Sequence, residues 1–199
     1  MSADTRRGRP RNESCTSDIL HAALALVAEL GMAGLTMDAV ATRAGVGKAT
    51  IYRRWPSKEA LMLDAWALTI AVPLVPDTGS LRGDLLELLS VVDDLFSDAN
   101  LRRVFPQMVA AAKVDPDTSE AYRSFVASRR APMQTVLQRA VRRGEIGPDL
   151  DLGVVQDLLI APLMYRWLIT DAPIDRDVIV SIVDLVTAGV ARTAAPVRV

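Results

Sequence analysis

The chain has 199 residues, half of them hydrophobic, which is enough for one domain or two small ones with a buried core. Its net charge of −1 argues against a protein that holds nucleic acid through overall positive charge. The charges are nevertheless unevenly distributed, because residues 1–58 carry nine Lys or Arg against five Asp or Glu. The sequence therefore predicts a basic N-terminal domain followed by an acidic body.

Residues 1–13 are basic and lack apolar periodicity, and four arginines lie between Arg6 and Arg11. We interpret this segment as a flexible arm. Two roles are open for it: contact with a DNA minor groove or with phosphates, or a purely solubilising terminus.

The basic start is not followed by a continuous apolar segment, so we expect no signal peptide. No stretch approaches 18 uncharged apolar residues, so we expect no membrane-spanning helix and no membrane partner. Cys15 is the single cysteine of the sequence and cannot form an internal disulfide, which fits a reducing compartment. These features predict a cytoplasmic protein.

Residues 14–72 are predicted to form a small helical domain. Its first helix is amphipathic and runs from about Thr16 to Leu30. A second helix begins near Met37, because Thr36 suits an N-cap and an acidic residue follows in the first turn. Gly45 can adopt the left-handed conformation that ends this helix.

The next helix is predicted from about Gly47 to Trp55, so that a helix-turn-helix unit covers residues 37–56. Ile51 and Trp55 are its apolar positions and would fasten it to the preceding helix, leaving its polar side chains facing outward. Pro56 ends the helix, and Ser57 caps the following one.

This segment resembles the DNA-binding domain of the TetR family of bacterial transcriptional repressors. The resemblance implies that double-stranded operator DNA is the partner and that outward side chains of the third helix enter the major groove. Lysine, arginine and tyrosine can bind phosphates there, threonine can contact a base edge, and small residues allow close approach. The predicted DNA-binding residues are Thr36, Gly47, Lys48, Ala49, Thr50, Tyr52, Arg53 and Lys58.

Residues 73–199 are predicted to form a larger second domain, entirely helical. Ser80 caps a helix that extends to Phe96. A helix from about Leu101 to Lys113 would hold Pro106 near its first turn, where proline is tolerated.

A long helix follows, from Asp115 and Pro116 to the glycine at Gly144. Pro132 lies inside it and is expected to kink or loosen the helix, because proline lacks an amide hydrogen. With two further helices after it, the protein is predicted to be all-α, with about nine helices and no strand.

The last two helices, Leu152 to Ile169 and Asp175 to Arg192, carry more apolar surface than one neighbour can cover. They are therefore the predicted dimer interface, since two copies would form a four-helix bundle. The resemblance to the TetR family implies the same interface, and residues 158–167 resemble the C-terminal domain of one TetR subgroup. The alternative is that both helices are buried within one subunit. The interface residues predicted are Leu159, Leu163, Trp167, Ile179, Ile182, Val183 and Val186.

The resemblance also implies a small apolar or amphipathic effector, bound in the second domain, that releases the DNA. Large apolar or soft side chains from several helices would suit such a cavity. The alternative for each of them is an ordinary core position. The ligand-binding residues predicted are Trp66, Phe105, Met108, Phe125, Met133, Met164 and Tyr165. Arg166 needs a counter-charge, a π face, solvent or an anionic ligand. Asp157 is the favoured partner, and an anion-binding role is the alternative.

An enzyme is not expected, because His21 is the single histidine and no triad or metal cluster can be assembled around it. Paired carboxylates are placed as helix caps, turn residues or a solvated face. No cofactor and no metal are therefore predicted. The remaining alternative is a DNA-binding regulator without a small-molecule ligand, whose second domain serves dimerisation or protein contacts.

Overall fold

The computed structural model describes residues 11–69, 74–91, 96 and 98–194, and most of the predicted basic arm lies outside them. Within these ranges the chain forms nine α-helices and no strand, as predicted. The helices are α1 (Arg11–Gly34), α2 (Met37–Ala44), α3 (Lys48–Tyr52), α4 (Lys58–Thr69), α5 (Leu81–Leu88), α6 (Ala99–Val114), α7 (Pro116–Arg142), α8 (Leu152–Tyr165) and α9 (Arg176–Ala194). A 3-10 turn, Leu89–Val91, follows α5, and a π-helical segment, Arg166–Thr170, follows α8.

The chain divides into two compact units. The first comprises the described residues of Met1–Ile70 together with Gln107–Phe125, and the second those of Ala71–Pro106 and Val126–Val199. The first unit therefore takes a segment of α6 and α7 in addition to the N-terminal helices. Both of these helices contribute to both units.

The first unit is built around α1. Apolar residues recur along one face of this helix and are buried, as the helical period requires. Gly31 has φ 69°, a left-handed conformation that interrupts α1 where the predicted first helix ends. The buried residues of α1 to α4 and of the turns between them include Ile19, Ala23, Leu26, Val27, Leu35, Val40, Ile51, Trp55, Leu61 and Met62.

The second unit has its own apolar core, formed by α5, the C-terminal half of α7, α8 and α9. Ser80 caps α5 as predicted, since its hydroxyl oxygen accepts a hydrogen bond from the amide of Gly83 at 3.1 Å. Gly144 has φ 75° and lies just beyond the end of α7, also as predicted. The core residues are Leu81, Leu85, Leu88, Leu89, Met133, Val136, Leu137, Ala140, Ile146, Val155, Leu159, Leu163, Ile179, Val183 and Val190.

Both prolines of the central helices lie inside continuous helical backbone. Because α6 begins at Ala99, Pro106 falls in the middle of the helix rather than near its first turn, so that prediction was wrong. The helix α7 continues through Pro132 without a break in its helical conformation. Packing of these long helices outweighs the loss of one hydrogen bond at each proline.

Two segments are long and apolar enough to span a membrane by length and composition alone: Cys15–Gly34 and Leu152–Thr170. Neither segment contains 18 consecutive uncharged residues, so the expectation about uncharged apolar stretches is unchanged. Each of them carries two charged residues and buries part of its apolar side chains within its unit. Core helices of globular proteins meet the same criterion, so these segments carry little weight as evidence for a membrane protein.

A buried carboxylate joins the start of the second unit to the end of α7. Asp84 is fully buried and accepts hydrogen bonds from the amide of Thr78 at 2.6 Å and from its hydroxyl at 2.8 Å. Arg143 donates to the other oxygen at 3.1 Å. Burial alone would raise the pKa of Asp84, but the donors from Thr78 and Arg143 outweigh it and hold the pKa below its usual value of 3.8.

Replacing Asp84 by asparagine is expected to lower the free energy of unfolding at pH 7 by about 1 to 3 kcal/mol, because Arg143 loses its buried charge partner. The control is Asp157→Asn, which removes an exposed ion pair with Arg130 and should cost less than about 1 kcal/mol. Urea denaturation of both variants measures the difference, and equal losses would contradict the role given to Asp84.

The unmodified protein and Asp84→Asn should also differ in how their stability changes in acid. Because the folded-state pKa of Asp84 is depressed, the carboxylate stabilises the fold above its usual pKa of 3.8, and this contribution is lost as the pH falls through the folded-state pKa. The unmodified protein should therefore lose more stability below about pH 4 than Asp84→Asn does. Parallel acid profiles would show that Asp84 is not the group that titrates.

Candidate DNA-binding surface

The helix α2 is started and ended by the two residues that the sequence indicated. The hydroxyl oxygen of Thr36 accepts a hydrogen bond from the amide of Ala39 at 3.1 Å, which makes it the N-cap. Gly45 has φ 66°, and the following amide of Val46 donates to the carbonyl of Ala41 at 3.0 Å. This left-handed turn returns the chain within a few residues, so that α3 begins beside α2.

The helix α3 is fixed by two buried side chains. Ile51 is fully buried and Trp55 almost so, and the indole nitrogen of Trp55 donates to a carboxylate oxygen of Asp64 on α4 at 2.8 Å. The α-helix itself ends at Tyr52, earlier than predicted, and a turn carries the chain to Trp55. These contacts therefore determine which side of α3 faces solvent.

The opposite side of α3 faces solvent. Lys48, Ala49, Tyr52 and Arg53 are exposed, and Thr50 is half-buried. Tyr52 has 53% of its surface accessible, which is unusual for a large aromatic residue in a well-packed unit. An exposed tyrosine between two cations is an arrangement that suits phosphate binding.

Two ion pairs lie at the edge of this face. Lys48 pairs with Asp38 of α2, and 60% of the lysine side chain remains exposed. Arg43 binds Glu29 of α1 through two hydrogen bonds of 2.8 and 2.7 Å, and these bonds hold the pKa of Glu29 below its usual range. Exposed pairs contribute little to stability, so Lys48 can exchange Asp38 for a phosphate at small cost.

Two further cations near the turn, Lys58 and Arg54, have structural partners. Lys58 is half-buried and donates to the carbonyl of Met32, near the end of α1, at 2.9 Å. The predicted contact of Lys58 with phosphate stays a prediction, and it requires this bond to be exchanged. Arg54, which the sequence did not single out, donates to Thr16 of α1 at 2.5 Å and lies 5.2 Å from the centre of the Trp55 ring.

The residues predicted to bind an effector are divided between the two units. Trp66, Met108 and Phe125 belong to the first, whereas Phe105, Met133, Met164 and Tyr165 belong to the second. Trp66, Phe105, Met108 and Met133 are buried, and Phe125 and Met164 are half-buried. Tyr165 is exposed, so its side chain does not belong to the apolar interior of its unit.

Most of the residues predicted for the dimer interface lie instead in the core of the second unit. Leu159, Leu163, Ile179 and Val183 are buried there, and Ile182 and Val186 are partly buried against the same core. Trp167 is also buried. Trp167 packs on Phe96 and Phe105, with ring centres 4.8 and 5.1 Å apart. These side chains therefore make their apolar contacts within one subunit.

Other apolar residues of α8, α9 and the π-helical segment are exposed to solvent. Leu158 has 55% of its surface accessible and Leu185 has 75%, and both lie on helices that also contribute to the core. The exposed apolar residues of α8, the π-helical segment and α9 are Val154, Leu158, Tyr165, Ile169 and Leu185.

Arg166 does not have the partner that was predicted for it. Its guanidinium donates to the carbonyl of Pro173 at 2.9 Å. Asp157 instead binds Arg130 of α7 at 2.6 Å. The packing of α8 beside α7 that brings Asp157 to Arg130 is not visible in the sequence.

Comparison with known families covers most of the chain. Residues 19–65 match the family described as bacterial regulatory proteins, tetR family. Residues 75–186 match the family described as tetracyclin repressor-like, C-terminal domain. The two matches fall on the two parts that the sequence separates.

Individual relatives agree with these matches. The HTH-type transcriptional regulator YdeS of Bacillus subtilis is 35% identical over 96% of this chain and 97% of its own. The DNA-binding transcriptional repressor TetR of Mycobacteroides abscessus is 33% identical over 87% of this chain and 92% of its own. The crystal structure of the TetR family transcription regulator SCO0332 shares 36% identity, covers 89% of this chain and 98% of its own, and superposes with a TM-score of 0.77.

Two glycines of the turn allow its conformation to be tested. A side chain would meet nothing within 4 Å at either Gly45 or Gly47, but Gly45 has φ 66° and Gly47 has φ −71°. Gly45→Ala should therefore lower the free energy of unfolding by about 1 kcal/mol. Gly47→Ala should change it by less than about 0.5 kcal/mol, since the entropy lost by the unfolded chain offsets the weaker N-cap. Urea denaturation measures both, and equal losses would show that the left-handed turn is not what requires glycine.

Proposed function

Because this chain belongs to the TetR family of bacterial DNA-binding transcriptional regulators, which are not enzymes, we propose that it is a repressor released from its operator by a small molecule. In this proposal a dimer of the chain binds a near-palindromic operator. The observation that carries the proposal is the solvent-facing side of α3, on which Lys48, Thr50, Tyr52 and Arg53 are held by the burial of Ile51 and Trp55. As a bacterial protein that acts on chromosomal DNA, it would work in the cytoplasm.

The α3 face would enter the major groove, which is about 12 Å wide. Gly47 and Ala49 are small and let the helix approach the bases closely. Lys48, Arg53 and the hydroxyl of Tyr52 would bind phosphates, and Thr50 would contact a base edge or a thymine methyl group. Thr36 and Lys58 would bind phosphates at the two ends of the unit.

The two α3 helices of a dimer would lie on one face of the DNA, about 34 to 36 Å apart or slightly more. We infer that the interface is the exposed apolar side of α8 and α9, with Leu158 and Leu185 at its centre, rather than the buried residues of the same helices. A two-fold axis would bring this surface against its own copy and remove both faces from water. The operator would then be a near-palindrome, because its symmetry follows that of the protein.

The proposed effector is a small apolar or amphipathic molecule. The fold accommodates one in a related protein: the transcriptional regulator FadR of Bacillus subtilis, in complex with stearoyl-CoA, covers 86% of this chain and 97% of its own with a TM-score of 0.63 and 19% identity. At that identity the likeness supports the fold alone. By linkage, effector and operator must weaken each other by the same coupling free energy, typically about 1 to 3 kcal/mol.

The proposal is tested by selecting bound sequences from a random duplex library at fixed salt and determining the mass of the complex. A near-palindrome bound by two or four copies supports it. Salt-sensitive binding without sequence preference would contradict the proposed operator recognition. One copy of the chain per site would contradict the proposed dimer. Stabilisation of the free protein by acyl compounds or lipophilic cations in a thermal shift assay then tests the effector.

Substitutions of Tyr52 and Thr50 on α3 are expected to affect DNA binding in different ways. Tyr52→Phe should weaken binding to every sequence by about 1 kcal/mol, because one hydrogen bond to phosphate is lost. Thr50→Ala should instead relax the preference at one base position and leave non-specific binding unchanged. Fluorescence anisotropy on the selected site and on single-base variants measures both. Unchanged affinity of Tyr52→Phe at all salt concentrations would place the DNA on another face.

The dimer interface is tested with Leu158→Glu, which places a charge in the exposed apolar face and should convert the dimer to a monomer. Leu74→Glu is the control, because Leu74 is 92% exposed and lies outside the helices of the interface. Analytical ultracentrifugation measures the mass. Val183 is unsuitable for this test because it is fully buried in the subunit core, so a charge there would unfold the unit. A Leu158→Glu dimer of unchanged stability would rule out this surface.

A further inference from the structure

Gln156 of α8 holds a buried hydrogen-bond acceptor that no donor reaches. Only 1% of its surface is accessible, and its side-chain oxygen Oε1 has no hydrogen-bond partner within the part of the chain that the structure describes. The other buried polar residues in that part are Asp84 and Thr118, and both form side-chain hydrogen bonds. A buried acceptor without a donor weakens a fold, so its presence requires an explanation.

The orientation of the Gln156 amide can be assigned from one contact. Its nitrogen Nε2 lies 3.0 Å from the backbone carbonyl oxygen of Arg130 on α7. A carbonyl oxygen only accepts, so the group that faces it must be the NH2, and the two ends of the amide cannot be exchanged. Oε1 lies on the other branch of the amide and points away from that carbonyl. The unsatisfied atom is therefore an acceptor, and it requires an O–H or N–H group.

The surroundings of Gln156 are apolar. Leu159 and Leu163 follow it by three and seven residues, so all three lie on the same buried side of α8. On α7, Met133 lies one turn after Arg130, and the side chains of a helix lean towards the preceding turn. This direction brings Met133 towards the turn that binds Gln156. The three apolar side chains are at most 3% exposed.

The charge of a suitable donor is limited by the carboxylates of the second unit. An ammonium group in this interior would need a carboxylate partner, but the buried Asp84 is already bonded to Arg143. Asp157 is exposed and binds Arg130. An ionised carboxylate or an ether offers only acceptors and could not bond to Oε1. A neutral hydroxyl group on an otherwise apolar skeleton meets both requirements.

We propose that Gln156 is a specificity-determining residue for the effector, and that the effector is a neutral alcohol or phenol whose hydroxyl donates to Oε1. This inference rests on the proposed function and deepens it, since it names the chemical class of the molecule bound in the second unit. Because Oε1 is already removed from water in the free protein, the new bond requires no further desolvation of the protein. Met133 is unbranched and adaptable, which allows an apolar skeleton to lie beside it.

The probes are matched sets of compounds that share one carbon skeleton and end in a hydroxyl, a methyl ether or a carboxylate. The skeletons are naphthalene, biphenyl, octane and dodecane. Calorimetric titration of the full chain gives the Kd of each compound. The tightest hydroxyl compound should bind about tenfold more strongly than its methyl ether, because the ether cannot form the hydrogen bond to Oε1. The carboxylate should bind more weakly than the hydroxyl compound as well, since it brings a second acceptor to Oε1.

Gln156→Met keeps the length of the side chain and removes the acceptor. In this variant the hydroxyl compound and its methyl ether should bind equally. Its Tm without compound should equal or exceed that of the unmodified protein, because the unsatisfied oxygen is gone, whereas loss of a purely structural glutamine would lower the Tm. Gln138→Met is the matched control, since Gln138 is an exposed glutamine of α7, and it should retain the tenfold preference.

NMR of the unmodified protein gives an independent test if Gln156→Met fails to fold. The hydroxyl compound should shift the side-chain carbonyl resonance of Gln156, and its methyl ether should not. Equal binding of alcohols and ethers, or no binding of any hydroxyl compound in the sets, overturns the inference. So does a hydroxyl preference that survives in Gln156→Met, or a water molecule that stays on Oε1 in the complex.

Operator binding separates this inference from the proposed function. Without compound, Gln156→Met should bind the selected operator with unchanged affinity, since Gln156 lies in the second unit. Operator binding without any hydroxyl preference would overturn only the inference. A hydroxyl compound that binds and leaves operator affinity unchanged would overturn its role as effector. Absence of sequence-specific DNA binding in the unmodified protein would instead overturn the proposed function, while the preference for hydroxyl compounds would remain measurable.

Discussion

The burial of Ile51 and Trp55 is the constraint on which the DNA-binding surface depends. The helix α3 has only five residues and could not persist alone, because isolated helices of that length are not stable in water. Its conformation comes from two apolar side chains packed into the first unit and from the indole hydrogen bond to Asp64. Since these contacts fix one side of α3, they also determine that Lys48, Tyr52 and Arg53 face outward.

The cations near this surface fall into two groups with different functions. Arg54 and Lys58 are bound to α1, through Thr16 and the carbonyl of Met32, and so hold the short helices on their support. Lys48 has only an exposed aspartate as partner. Charge in this unit is thus used both to build the scaffold and to leave a part of it available for phosphate. The net charge of the N-terminal domain does not distinguish these two groups, because every lysine and arginine adds the same charge to it.

Local signals were predicted correctly from the sequence, whereas pairings between distant residues were not. The caps Thr36, Ser57 and Ser80 and the left-handed Gly45 follow from side-chain chemistry within three residues of the chain. The seven residues predicted for a dimer interface followed from a helical period, which identifies an apolar stripe but not the neighbour that covers it. Because α8 is apolar on most sides, Leu159 and Leu158 are equivalent in the sequence, and only packing shows that the first is buried and the second exposed. The partners of Arg166 and Asp157 were missed for the same reason. The predicted DNA contacts rest on the outward face of α3 and stay predictions.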